Sequence, residues 1–283
     1  MTTMWALSDL HVGHAANLAS VQQLPAHPDD WLVLAGDIGE TEAHLRATLT
    51  VATERFGRVI WVPGNHELWS SEEPLLKGVA KYERLVEVCR RFGVLTPEDP
   101  YPTLPGTRLR VAPLFLLYDY TFGPPGQTPE QVVAWAAESG IACADERRLS
   151  PAPFPSRQAW SADRVRRTQQ RLEALPPDVG TILINHWPLR LDLCRLFRIP
   201  RFTPWCGTRE TEDWHTRYRA ELVISGHLHM RATDWRDGVR FEEVSLGYPR
   251  QHDPERGAPG YLRQVWPATV TAPAPDAGPI WHR

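Results

Sequence analysis

Paired cysteines are missing from this sequence of 283 residues. Its four cysteines, Cys89, Cys143, Cys194 and Cys206, lie far apart and include no Cys-x-x-Cys pair. That spacing argues against a disulfide framework and against a structural zinc site with thiolate ligands. We therefore expect free, buried thiols and a reducing, cytoplasmic compartment.

Targeting signals, long apolar runs and strong charge are missing as well. The amino-terminal stretch MTTMWALSDL has neither a basic region nor an extended apolar region, so we expect no signal peptide. No apolar run approaches about 20 residues, so no membrane span is expected. The net charge is −3, and there is no long basic stripe, which disfavours nucleic acid and anionic membranes as partners.

Short apolar runs of strand length are present instead. They are rich in β-branched and aromatic residues, and each one ends in a polar cluster. Their nearly continuous apolar character is typical of central strands that are buried on both faces. The predicted strands cover residues 4–8, 31–35, 58–62, 181–184 and 221–225.

Helical patterns lie between these runs. We predict helices over residues 40–56, 73–92 and 157–175, with Pro74 near the start of the second helix and Gly93 as its C-cap. Strands that alternate with helices in this way predict an α/β layered fold.

The carboxyl-terminal third adds an antiparallel element and a tail. Asp237-Gly238 lies between two alternating stretches and predicts a β-hairpin, so the sheets should be mixed. Residues 251–283 are rich in Pro, Gly and Ala. We therefore predict a single domain over residues 1–250, followed by a peripheral tail.

Oxygen and imidazole side chains follow the end of all five predicted strands. In α/β proteins the carboxyl ends of strands are where functional sites gather. A single histidine after a strand is more often structural than a ligand, but five such coincidences together indicate a site. A donor set without thiolates suits Mn, Fe or Zn ions. The residues are Asp9, His11, Asp37, Asn65, His66, His186, His227 and His229.

Five motifs, SDLHVGH, GDIGE, GNHE, NHWP and GHLH, occur in this order between Ser8 and His229. Together they resemble the calcineurin-like metallophosphoesterase family. The resemblance implies a four-layer α-β-β-α sandwich with mixed sheets and a dinuclear metal site at the carboxyl ends of strands. It implies that Asp37 would bridge both ions and that His66 would stay off the metals and meet the phosphate oxygens or the leaving group. It assigns one ion to Asp9, His11 and His229 and the other to Asn65, His186 and His227.

The same resemblance implies that the protein is a phosphodiesterase, in which a hydroxide activated by two metal ions attacks phosphorus. No motif position is missing, which argues against a non-catalytic binding scaffold. A small-molecule phosphatase or a cyclic-nucleotide phosphodiesterase is the main alternative, because the same metal core serves both. A DNA nuclease is disfavoured by the negative net charge.

Two insertions between the motifs, at about residues 97–160 and 187–219, should form substrate-side loops. The stretches PLFLLYDYTF, WCGT, DWHTRY and DGVRFEEVSLGYPR resemble the bacterial phosphopantetheinyl hydrolases. This resemblance implies release of 4′-phosphopantetheine from the serine of an acyl or peptidyl carrier protein. Such carrier proteins are acidic, so a basic docking surface is expected on this chain.

Further candidates for substrate and partner contact come from these insertions and their neighbours. For the arginines the alternative is a solvated surface, and for the aromatic residues it is packing of loops onto the core. His14 and His215 are predicted from their positions in stretches next to motifs. The docking candidates are Arg195, Arg198 and Arg201, with a second cluster at Arg164, Arg166, Arg167 and Arg171. The aromatic candidates are Tyr118, Tyr120 and Trp205, together with Phe122 and Trp214.

Overall fold

The computed structural model describes residues 2–70, 76–272 and 278–282, which form strands, helices and connecting loops. The strands are β1 (Met4–Leu7), β2 (His27–Leu34), β3 (Phe56–Trp61), β4 (Arg110–Pro113), β5 (Thr181–Ile184), β6 (Ala220–Ser225), β7 (Ala232–Arg236), β8 (Val239–Glu243), β9 (Arg263–Trp266) and β10 (Ile280–Trp281). The α-helices are α1 (Ala15–Val21), α2 (Glu42–Arg55), α3 (Asn65–Leu68), α4 (Val79–Arg91), α5 (Pro129–Ala137), α6 (Asp145–Arg148), α7 (Arg157–Glu173), α8 (Trp214–Arg217) and α9 (Gly257–Tyr261).

The strands form two mixed sheets. The first has the order β3-β2-β1-β9, in which β9 is antiparallel to β1 and the other neighbours are parallel. The second has the order β10-β7-β8-β6-β5-β4, in which β4, β5, β6 and β8 are parallel. The predicted hairpin is present, because β7 pairs antiparallel with β8 around Asp237-Gly238.

Two-residue periodicity in the strands explains the four layers. On β5, Ile182 and Ile184 face the core between the sheets, and Leu183 faces the outer core beneath α7 and α8. Helices α1, α2 and α4 cover the outer face of the first sheet. Central strands such as β5 therefore bury both faces, which confirms the interpretation of the continuous apolar runs and the predicted α-β-β-α sandwich.

Predicted helices correspond to α2, α4 and α7 with shifted ends. Gly93 has a φ of +71° and follows the end of α4, as expected of a glycine that ends a helix. Pro74, and with it the predicted start of the second helix, lies outside the described residues. In the described ranges we find no helix with the length and apolar character needed to cross a bilayer. The four cysteines are free, and all but the half-buried Cys194 are buried.

The fold continues beyond residue 250, which corrects the predicted boundary between domain and tail. Strand β9 pairs with β1 at the edge of the first sheet, and Val265 at its centre is fully buried. The guanidinium of Arg240 donates a hydrogen bond to the carbonyl oxygen of Val265. Because Pro, Gly and Ala residues dominate the composition of the segment, the short strand left no sign in the sequence.

Replacing Val265 by Ala should therefore lower the free energy of unfolding by about 1–3 kcal/mol, because it leaves a cavity in the core between the sheets. Val270→Ala in the same segment is the matched control, since Val270 is only half-buried and lies outside the strand. Urea unfolding of both variants measures the difference. Equal effects of the two substitutions would mean that β9 is a peripheral tail after all.

Candidate metal centre

The carboxyl ends of five parallel strands meet at one edge of the sandwich. The loops after β1, β2 and β3 carry the candidates of the first sheet, and the loops after β5 and β6 carry those of the second. Nε2 of His186 lies 3.5 Å from Oδ2 of Asp37, and Nε2 of His229 lies 3.0 Å from Oδ1 of Asp9. Both contacts join the two sheets, so the cluster forms only when the sandwich closes.

The backbone at this edge adopts an unusual conformation. Asp9, His11, Asp37, His227 and His229 all have a φ between +43° and +70°, the left-handed region that residues other than glycine rarely adopt. Backbone strain of this kind concentrates at functional sites, where it turns side chains toward a common point.

Glycines bring these loops close together. A Cβ atom at Gly226 would collide with the side chains of Ser8 and Asp9, and one at Gly64 would collide with the Asp37 carboxylate. The glycine before His227 is thus required by the close approach of the backbone to the cluster.

Three groups of donor atoms could each hold a cation. Two of them share no residue: Asp9, His11 and His229 form one, and Asp37, His186 and His227 form the other. The third takes His11 and Asp37 from these two and adds His66. Within each group the ligand atoms all lie within 4.8 Å of one another. Asn65 lies beside the second group and lines the same cavity.

Several atoms of the cluster fit a metal better than they fit each other. Oδ1 of Asn65 is buried without a hydrogen-bond partner among the described residues. Nε2 of His11 lies 3.3 Å from Nε2 of His229, and Nδ1 of His227 lies 3.3 Å from Nε2 of His186. Nitrogens that share an ion at about 2.0–2.1 Å from each are spaced by about 3 Å, so the residues suit the two ions that the motifs imply.

The protonation of two rings is also suited to metal binding. Burial, together with the nearby histidines, lowers the pKa of His11 and the pKa of His227 to about 3. Both imidazoles are therefore neutral at pH 7, which is the form that can donate a lone pair to a metal.

His66 is held beside the cluster by a carboxylate. Its Nδ1 lies 3.1 Å from Oε1 of Glu40, and its Nε2 lies 3.4 Å from the hydroxyl of Tyr248. Burial lowers the pKa of His66, but the Asp37 and Glu40 carboxylates outweigh this effect and raise the pKa above its ordinary value. The ring can therefore carry a proton on Nε2, the atom that faces the cavity.

Residues that sequence reasoning did not single out support the cluster. Both oxygens of the buried Glu67 accept hydrogen bonds, from the backbone N–H groups of Asp37, Ile38 and Gly64, at 2.8–2.9 Å. Oε1 of Gln251 lies 2.7 Å from Nδ1 of His229 and fixes that ring. Glu67 stands within the GNHE motif and could have been found there, whereas no local pattern marks Gln251.

A cavity of about 250 Å³ opens over the cluster. The candidate ligands form one part of its wall, and an apolar loop of the second insertion forms another. Tyr248 also lines the cavity, and its ring stacks on that of His11 with 4.2 Å between centroids. Apart from the candidate ligands, the cavity is lined by His66, Leu196, Ile199, Phe202, Leu228, Tyr248, Arg250 and Gln251.

The aromatic substrate candidates are not on this cavity. Tyr118 and Trp205 have no exposed surface and Tyr120 has 5%. The Tyr120 hydroxyl and the Trp205 indole each donate a hydrogen bond of 2.7 Å to Glu146. Phe122 and Trp214 are buried too, so packing of the loops onto the core, the alternative weighed above, describes all five aromatic residues.

The two remaining substrate candidates differ in their distance from the cavity: His14 lies near it, and His215 lies far from it. The His14 ring lies 5.8 Å from the ring of Tyr248, which lines the cavity. His215 is buried against Phe241, and its Nε2 lies 2.8 Å from Asp237 in the turn before β8. Because β8 is parallel to β6, this turn is at the end of the sheet opposite the cluster.

The predicted docking arginines differ in whether they pair with an acidic side chain. Arg195 makes hydrogen bonds of 2.6 and 2.8 Å to Asp234, and Arg201 makes an ion pair of 2.8 Å with Glu138. Arg198 is exposed and has no acidic partner among the described residues. In the second cluster, Arg164 is buried against Glu98, so that helix face is not a free basic surface.

Residues 2–231 match the model of the calcineurin-like phosphoesterase family, and the chain belongs to that family of phosphoester hydrolases. This confirms the resemblance found in the motifs, and membership implies that the protein uses divalent metal ions, for which the cluster is a candidate site. The chain is 47% identical over 277 residues to the [acyl-carrier-protein] phosphodiesterase PptH of Mycobacterium tuberculosis. The aligned region covers 96% of this chain and 85% of the relative. The crystal structure of phosphopantetheinyl hydrolase (PptH) from the same organism superimposes with a TM-score of 0.90 at 46% identity, over 96% of this chain and 98% of that one.

Proposed function

We propose that this chain hydrolyses the phosphodiester between 4′-phosphopantetheine and the serine of an acyl or peptidyl carrier protein. The observation that carries the proposal is the 47% identity, over nearly the whole chain, to a relative named for this activity. The agreement includes both insertions and not only the metal motifs, because the aligned region covers 96% of the chain. Insertions are where members of a family with one metal core can differ in substrate.

We propose further that Asp9, His11 and His229 hold one ion, that Asn65, His186 and His227 hold the other, and that Asp37 bridges them. The two groups of donor atoms that share no residue, and the buried, unpartnered Oδ1 of Asn65, support this division. When bound, two such ions would lower the pKa of water and offset the charge of the phosphate. The oxygen and nitrogen donors suit Mn, Fe or Zn.

His66 is proposed as the general acid that protonates the departing serine oxygen. Glu40 fixes the ring through Nδ1, which leaves Nε2 directed at the cavity. A serine alkoxide is a poor leaving group, so a proton delivered in the transition state has a large effect on its departure. Tyr248, within 3.4 Å of the same nitrogen, is placed to contact a substrate oxygen.

The loop of residues 196–202, together with Arg250, is proposed as the docking surface for the carrier protein. Leu196, Ile199 and Phe202 line the cavity, and Phe197 between them is 79% exposed. Arg198 and Arg250 are exposed near the mouth and have no acidic partner among the described residues. Apolar side chains flanked by unpaired cations suit an acidic protein surface.

Mass spectrometry of a holo carrier protein, before and after incubation with the enzyme and Mn²⁺, tests the function. We expect loss of the whole phosphopantetheine group and recovery of the apo carrier protein. A panel of nucleotides, small phosphate esters and DNA should be turned over much more slowly. Faster hydrolysis of nucleotides than of the carrier protein would replace the proposed substrate and leave the family unchanged.

Reversing the charge of the docking surface should weaken carrier-protein binding more than chemistry. The double variant Arg198→Glu and Arg250→Glu is expected to raise KM for the carrier protein about 10-fold or more, with the largest effect at low salt. Turnover of a small aryl phosphodiester should be unchanged. Arg108→Glu is the control, because Arg108 is exposed just before β4, at the end of the sheet opposite the cluster. The control reverses one charge and the double variant reverses two, so a rise in log KM of half the size for the control would mean that net charge alone explains the effect.

A further inference from the structure

The side-chain amide of Asn65 has two ends, and only its oxygen can bind a cation. Its Nδ2 donates a hydrogen bond of 3.0 Å to Oδ1 of Asp145. The indole of Trp69 donates to the same carboxylate oxygen at 2.7 Å. An indole N–H can only donate, so Oδ1 of Asp145 is an acceptor, and the atom of Asn65 that faces it must be the nitrogen. The amide oxygen is then left on the other side, buried and without a partner among the described residues.

Asp145 comes from the first insertion and lies outside all five motifs. It is fully buried at the start of α6, and Arg157 donates a hydrogen bond of 2.6 Å to its backbone carbonyl. The next residue, Glu146, accepts the hydrogen bonds from Tyr120 and Trp205. Two aromatic residues predicted to contact substrate thus hold the short helix that presents Asp145.

We propose that Asp145 is a positioning residue for the metal centre: it fixes the amide of Asn65 so that the oxygen faces the second metal position. A reversed amide would place two oxygens opposite each other and direct an N–H group at the cation. The two insertions therefore contribute to metal binding through α6, in addition to any contact with the substrate. This inference rests on the proposed role of Asn65 as a ligand and is independent of which phosphodiester is hydrolysed.

Metal content after dialysis and the affinity for added Mn²⁺ test the proposal. Asp145→Ala is expected to weaken binding of the second ion about 10–100-fold and to retain the first, because it releases the amide. Asp145→Asn keeps a carbonyl oxygen that can accept from Trp69 and Asn65, so it should bind the second ion nearly as well as the unaltered chain. Excess Mn²⁺ should restore much of the kcat of Asp145→Ala.

Trp69→Phe controls for a general loss of stability. It also removes a hydrogen bond to Oδ1 of Asp145, but it leaves the bond to Asn65 in place. We expect it to lower the melting temperature and to retain both ions. If it loses the second ion as Asp145→Ala does, loss of stability explains the effect and the positioning role is wrong.

Asn65→Ala distinguishes a failure of the proposed ligand set from a failure of the positioning role of Asp145. If Asn65→Ala retains both ions at full affinity, Asn65 is not a ligand and the proposed ligand set fails. If it loses one ion while Asp145→Ala keeps both, only the positioning role fails. When both proposals are correct, Asp145→Ala should weaken metal binding no further in a chain that already carries Asn65→Ala, because Asp145 acts through that amide.

Discussion

Asp37→Asn should lower kcat by at least about 10³-fold, equivalent to about 4 kcal/mol of transition-state stabilisation, and should leave a folded protein with reduced metal content. Oδ2 of Asp37 lies 3.5 Å from Nε2 of His186, and Oδ1 accepts a hydrogen bond of 2.9 Å from the backbone N–H of His66. The carboxylate therefore faces both the proposed ions and the loop that carries the proposed acid. Asn has nearly the same shape, but it lacks the second oxygen and the negative charge that a bridge between two cations requires.

Asp29→Asn is the control for that experiment. It is the same substitution, but Asp29 is exposed at the amino-terminal end of β2, whereas Asp37 follows the carboxyl-terminal end of that strand at the cluster. We expect its kcat and metal content to equal those of the unaltered chain. If Asp37→Asn retained two ions and more than a tenth of the activity, the bridging role would have to be given up.

His66→Ala should have the second largest effect, and its size should depend on the leaving group. For the serine ester of a carrier protein we expect a loss in kcat of about 10²–10⁴, the range for removal of a general acid. For an aryl phosphodiester, whose phenolate leaves without a proton, the loss should be much smaller. Metal content should stay the same, because His66 is not among the proposed ligands.

Comparing the two substrates on one protein preparation provides the control for folding and metal loading. An equal loss on both substrates would assign His66 to stabilisation of the phosphate charge instead of protonation. Near-normal turnover of the carrier protein would remove it from the mechanism. Glu40→Gln should show the same dependence on the leaving group with a smaller loss, because the carboxylate acts only through Nδ1 of the ring.

Much of the fold was predictable because its signals are local. Strand β5 was predicted with its exact ends from the short run TILI, since the residues of a strand that is buried on both faces are nearly all apolar. The hairpin at Asp237-Gly238 followed from turn chemistry, where positive φ values are required at both residues. Strand β9 was missed because its partner, β1, lies more than 250 residues away and a short edge strand has little pattern of its own.

The sequence by itself determined the mixed sheets and the side chains at the strand ends, because hydrophobic period and turn residues are local features of the chain. Its five motifs identified the family, and the two-sheet sandwich followed from that resemblance. Only the tertiary structure decided which insertion residues reach the cluster. Tyr118, Tyr120 and Trp205 turned out to be core, and His215 lies at the opposite end of the sheet. Asp145 and Gln251 reach Asn65 and His229 across 80 and 22 residues of chain. Such contacts depend on how distant segments pack, and no local pattern of residues encodes them.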